Sequence, residues 1–132
     1  MKTELIQKFN FTASHSLADH EAPHPHLWTL EVTLTGKPIK GKIVDMVLLQ
    51  QTFGEKVDPL HSSYLNENQS LGHEAMQLPT CEMLAAHFFT EFKKVILNKF
   101  IPENLSIQLV SVSVALSDTK GTELGAARVH AL

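Results

Sequence analysis

Two alternating runs, each with histidine at one end, constrain this chain more than any other feature. From Leu5 to His15, alternate positions include Leu5, Phe9, Phe11, Ala13 and then His15. From His24 onward they read His24, His26, Trp28, Leu30, Val32 and Leu34. Side chains of a strand alternate between its faces, so each run predicts a strand with one apolar, inward row, and the histidines continue those rows. Two neutral imidazoles at i and i+2, with a third from a neighbouring strand, suit a zinc ion that keeps one coordination position open.

The 132 residues predict one domain, 1–132, large enough to bury a core. An apolar fraction of 43% and a charged fraction of 19% are those of an ordinary soluble globular protein. The net charge of −3, without a basic cluster, argues against nucleic acid as a partner, because phosphate contacts need concentrated Lys and Arg. No apolar run approaches the roughly 18–20 residues that span a bilayer, so no membrane partner is expected. Met1 to Gln7 lacks the apolar region of a signal peptide. A single cysteine, Cys81, allows no internal disulfide, in keeping with a reducing cytoplasm.

Between the two strands lies a polar loop, Ser16 to Pro23, whose exit is stiffened by Pro23 and Pro25. Gly41 to Val44 reads as short and extended, and Asp45 can cap a helix to about Val57. Residues 58–78 read as an irregular connection. Thr80 can cap a second helix from Cys81 to about Lys99, in which Leu84, Phe88, Phe92 and Val95 form one apolar stripe suited to lie on a sheet. Leu105 to Thr119 reads as a strand with Val110, Val112, Val114, Leu116 and Asp118 on one face, and Ala126 to Ala131 as the last strand. The order is ββααββ, class α+β: an antiparallel four-stranded sheet with two helices on one face.

Six segments, in order, resemble the motifs of the 6-pyruvoyltetrahydropterin synthase / 6-carboxytetrahydropterin synthase family. Phe11-Thr-Ala-Ser-His15 resembles F-x-A-x-H, and His24-Pro-His26 stands where the family has H-G-H. Gly41 to Asp45 resembles G-M-V-x-D, and Leu60 to Asn66 is similar to L-D-H-x-x-L-N. Pro79-Thr-Cys-Glu82 matches P-T-x-E, and Val114 to Thr119 resembles V-x-V-x-E-T. The resemblance implies the tunnelling fold, with sheets joined edge to edge into a barrel, commonly as a homohexamer of two trimers. It implies zinc on His15, His24 and His26, lyase chemistry on 7,8-dihydroneopterin triphosphate or a related dihydropterin, and a pterin held at a subunit interface. Asp118 stands where the family has the acid that grips the ring, one methylene shorter than the family's Glu. Thr80 and Glu82 occupy the P-T-x-E positions and join Asp118 as the substrate-binding set, although both also suit a helix start.

The departures fall on the proton carriers. The family's cysteine before H-G-H is absent, and the interval reads Asp19-His20-Glu21-Ala22-Pro23. Glu21 looks like the replacement found in a subfamily that cleaves the side chain, and a nearby carboxylate can move protons at neutral pH if its pKa is suitably set. His20 is the rival, with an intrinsic pKa closer to neutral. Where the family has Asp-His, this chain has His61-Ser62, which leaves His61 as a carrier without an adjacent Asp to fix its tautomer. The other reading is a non-catalytic relative that binds pterin and zinc with an altered relay.

Overall fold

Alternation in the strands and the stripe on the long helix converge on one core. The computed structural model describes residues 1–132. β1 (Glu4–His15) and β2 (His24–Thr35) pair antiparallel along their whole length, with His15 opposite His24 and Ala13 opposite His26. α1 (Met46–Val57) starts where Asp45 accepts hydrogen bonds from the Val47 and Leu48 backbone N–H groups. β3 (Ser63–Tyr64) and the short α2 (His73–Gln77) follow, then α3 (Cys81–Val95), which runs on into a π-type turn, Ile96–Phe100. β4 (Gln108–Ser117) and β5 (Glu123–His130) complete the sheet in the order β3-β1-β2-β4-β5.

The α+β class and the two principal helices agree with the sequence reading, but the sheet has five strands and is mixed. The extra strand, Ser63–Tyr64, lies parallel to Ala13–Ser14. A two-residue strand has no periodicity to read. Gly41 to Val44 is not extended: Ile39 bridges Lys42 across a tight turn in which Lys40 and Gly41 have φ of 53° and 85°. Successive positive φ values favour hairpin-type turns and explain a glycine at position 41. The last strand begins at Glu123, three residues before the expected start, because Gly125 and its small neighbours carry no apolar alternation.

Irregular pairing also shifts the expected row on β4. Thr33 faces Ser111 and Leu34 faces Leu109, so Val110 is the extra residue, and Leu109 is buried in its stead. A bulge of this kind reverses which side chain points inward. Asp118 lies beyond the strand, in the β4–β5 turn.

The core lies between the sheet and the helices. Phe9, Phe11, Trp28, Leu30, Val32, Val112 and Val114 meet Leu49 and Phe53 of α1 and Leu84, Phe88 and Phe92 of α3. Phe53 and Phe92 stack with ring centroids 4.3 Å apart. Burial of this apolar surface, at about 25 cal/mol per Å², is the main force holding the helices to the sheet.

Candidate metal centre

The expected convergence of three histidines is present. His15 ends β1, His24 and His26 begin β2, and one ring nitrogen from each lies within 4.8 Å of the others. The rings stand nearly perpendicular to one another, at 84°, 90° and 86°. His15 is buried, while His24 and His26 are partly exposed, so the cluster opens at the end of the sheet. Trp28 forms its floor: the indole lies edge-on to His15 at 5.1 Å, and its N–H donates to the Ala13 carbonyl.

The partners of these rings determine which nitrogens are free. His15 Nδ1 lies 2.8 Å from the Pro79 carbonyl, and His26 Nδ1 lies 3.0 Å from the Ser117 carbonyl. A carbonyl only accepts, so both Nδ1 atoms carry hydrogen, and in the neutral rings both Nε2 atoms present bare lone pairs. His24 Nε2 donates to Glu21 Oε1, which leaves its Nδ1 bare, 2.9 Å from His26 Nε2. Two bare nitrogens at that separation repel unless a proton or a metal ion lies between them. Metal-ligating histidines characteristically donate their other N–H to a carbonyl or carboxylate, and all three rings do so here. Tetrahedral ligands at about 2.0–2.1 Å from an ion stand roughly 3.3 Å apart, a spacing that falls between the 2.9 Å of the His24–His26 pair and the 4.8 Å that bounds the whole set. Burial holds His15 below the usual histidine range, only partly offset by the Pro79 carbonyl, which keeps the ring neutral for ligation. The residues fit a metal ion.

Glu21 lies at the mouth. Its Oε1 accepts from His24 and its Oε2 from the Leu17 backbone N–H, and these bonds hold its carboxyl below the usual carboxylate range. His20 is exposed on the same loop. His61 is not brought to the cluster: its Nδ1 accepts from the Thr12 N–H at 3.2 Å, three residues before His15 and so roughly 10 Å back along β1. That contact fixes its tautomer with hydrogen on Nε2, the task an adjacent aspartate would otherwise perform.

Asp118 follows Ser117 and so lies beside His26. Its Oδ1 accepts from the Lys120 and Thr122 N–H groups at 2.9 Å each, closing the β4–β5 turn. The turn leaves Oδ2 without a partner. Thr80 caps α3 by accepting from the Met83 N–H, directly after the Pro79 carbonyl that holds His15. Glu82 is exposed in the first turn of α3. The sequence reading missed the Pro79 and Ser117 carbonyls and the Trp28 floor, because a backbone acceptor leaves no mark in residue identity.

Cys81 serves as an internal check. Burial, with Glu82 and Glu123 nearby, pushes its thiol up to about 11. The thiolate is the reactive form, and its higher nucleophilicity only partly offsets its scarcity, so at pH 7.5 the native protein is expected to react with a disulfide reagent at least about 10-fold more slowly than a free thiol of pKa about 8.5. A stopped-flow trace at the free-thiol rate would contradict this environment.

Comparison with known proteins agrees with the architecture. The sequence profile described as 6-pyruvoyl tetrahydropterin synthase matches residues 4–126, and the chain belongs to that family. The 6-pyruvoyl tetrahydropterin synthase of Caenorhabditis elegans superposes with a TM-score of 0.72 at 17% identity, over 100% of this chain and 97% of the other. The Plasmodium vivax enzyme gives 0.69 at 13% identity, over 99% of both chains. A further structure of that enzyme carries an alanine in place of a glutamate described as a catalytic residue, with a TM-score of 0.69 at 12% identity over 99% of both chains. At such identities the likeness shows the fold. No curated protein sequence matches the chain. No helix is long and apolar enough to cross a membrane.

Proposed function

We propose that this chain is a zinc-dependent lyase that acts on 7,8-dihydroneopterin triphosphate or a related dihydropterin, by triphosphate elimination or side-chain cleavage. The observation that carries the proposal is the set of three bare imidazole nitrogens, each with its opposite N–H held by an oxygen. Family membership supplies the pterin class. Neutral nitrogen donors with one open position suit zinc, which when bound would polarise the substrate's side-chain hydroxyls and lower their pKa.

The chain's own groups do the rest. Glu21, ionised at the mouth but a weak base while His24 and the Leu17 N–H hold it, accepts a proton from the substrate side chain, and His20 on the same loop is the alternative acceptor. A catalytic glutamate in the Plasmodium vivax enzyme supports the first assignment. His61, with hydrogen on Nε2 but set back along β1 from the cluster, is the second carrier for a substrate that extends from the histidines to Thr12. Asp118 anchors the pterin through Oδ2, accepting from the ring N–H or amino group, while Thr80 and Glu82 border the substrate at the start of α3. The cluster lies at an open end of the subunit, whereas a concavity of about 680 Å³ between β1 and α1 is lined by none of the histidines. An open site supports completion by a neighbouring copy, and so a homo-oligomer, hexameric by family resemblance. A single cysteine, which allows no internal disulfide, supports a cytoplasmic setting.

Incubating zinc-loaded protein with 7,8-dihydroneopterin triphosphate and identifying products by mass spectrometry tests this. Loss of triphosphate, or a shortened side chain, is the expected result. Glu21→Gln keeps an oxygen for His24 and is expected to retain zinc while turnover falls at least about 100-fold. Full activity in that variant would pass the role to His20. The second reading, a non-catalytic binder, draws on His61 resting on the Thr12 backbone and on Ser62 beside it. Unchanged substrate in the presence of bound zinc and bound pterin would establish it.

A further inference from the structure

β1 does not end freely at its metal-binding tip. Along its outer edge, Thr12 gives its N–H to His61 and its carbonyl to the Ser62 N–H, and Ala13 and Ser14 pair with Ser63 and Tyr64 of β3. β3 stops there, two residues short of Ser16. At Ser16 a side chain takes over the part of a strand. Asn66 Oδ1 accepts from the Ser16 N–H at 2.9 Å, and Asn66 Nδ2 donates to the Ser16 carbonyl at 2.8 Å. The Tyr64 hydroxyl donates to Ser16 Oγ at 3.1 Å, and Ser16 Oγ in turn donates to the Glu21 carbonyl at 3.0 Å. Every polar atom of a buried residue adjacent to His15 is therefore held, and two of them by one amide.

We propose that Asn66 is a positioning residue of the histidine site, fixing the Ser16 backbone through the peptides on either side of it, so that the His15 ring and the root of the loop bearing Glu21 are preset for the metal. The proposal deepens the metal reading above and rests on it. An amide that accepts from the N–H and donates to the carbonyl of one residue ties together the two peptide units that flank Ser16, and so fixes the φ and ψ of Ser16 between them. His15 then has only its side-chain rotation to set, and the Pro79 carbonyl sets that. Without Asn66 the buried Ser16 N–H and carbonyl must find other partners, and the strand end shifts to do so.

Asn68 provides the control. Its Nδ2 donates to the Pro59 carbonyl and to Ser63 Oγ, so it braces the same segment without touching Ser16. Competitive zinc titration against a chelator, and visible spectra of the cobalt-substituted protein, are measured on native protein, Asn66→Ala, Asn68→Ala and Tyr64→Phe. Asn66→Ala is expected to weaken zinc binding about 10-fold or more, in line with loss of outer-shell support, and to shift the cobalt bands. Asn68→Ala lowers the thermal midpoint but keeps zinc affinity within about two-fold and the cobalt bands in place, since it lacks the Ser16 contact. Tyr64→Phe, which removes one link only, weakens zinc by roughly two- to five-fold. Native affinity and unshifted bands in Asn66→Ala overturn the proposal. If Asn66→Ala does not fold, Tyr64→Phe decides, and unchanged affinity there overturns it. A native chain that binds neither zinc nor cobalt overturns the metal reading itself, a result distinct from native affinity retained in the variants.

Discussion

Replacing His26 with alanine is expected to abolish stable zinc binding while leaving the fold in place. His26 supplies Nε2 to the cluster and donates Nδ1–H to the Ser117 carbonyl, yet its ring is partly exposed, so truncation opens no core cavity. Apparent zinc binding of about 10–16 kcal/mol over four ligands gives roughly 2.5–4 kcal/mol for each. Losing one ligand corresponds to about 10²–10³-fold in affinity. Turnover falls with it, and the zinc-dependent rise in thermal midpoint disappears, because that rise scales with ligand concentration over Kd. Circular dichroism should stay native. Zinc affinity retained in His26→Ala would remove this residue from the site.

The second large effect concerns stability. Phe92 is fully buried on α3, stacked on Phe53 at 4.3 Å and Phe88 at 5.4 Å, and 6.5 Å from Phe9 of β1. It therefore ties both long helices to the strand whose inward row ends in His15. Phe92→Ala removes the ring and leaves a cavity between α1, α3 and β1 that these elements cannot fully close, at a cost of about 3–5 kcal/mol. Single domains have about 5–15 kcal/mol in total, so this variant is expected to melt of the order of 10–20 °C lower. Urea unfolding measures the loss directly. A loss below about 1 kcal/mol would mean that the ring is not the keystone its contacts describe.

What could be read from residues alone was what repeats. Alternation on β1 and β2 placed Phe9, Phe11, Trp28 and Leu30 inward, and the 4, 4, 3 spacing of Leu84, Phe88, Phe92 and Val95 marked the buried face of α3; all of these are buried. Asp45 and Thr80 were recognisable as helix caps because a short polar side chain before an apolar-periodic run has a specific job there. The convergence of three histidines followed from the same alternation together with the pairing of β1 with β2.

Irregularity was not legible. The bulge at Val110 depends on tertiary pairing, and no local preference announces it. Asp118 continued an apolar row only if the strand ran straight through it; instead it folds back to accept from Lys120 and Thr122. The two-residue strand at Ser63–Tyr64 exists because β1 offers a free edge, a property of the partner rather than of the segment itself. Asn66 and Pro79 could be quoted as parts of motifs, but their work on Ser16 and His15 crosses about 50 or more residues of chain and needed coordinates.

X-ray absorption at the zinc edge, on native protein loaded with zinc and freed of excess, tests the central claim most directly. The account predicts one zinc per chain with three imidazole nitrogens at about 2.0–2.1 Å and one further light-atom ligand. Zinc that washes away from the native chain, or an all-oxygen shell without imidazole scattering, would contradict it.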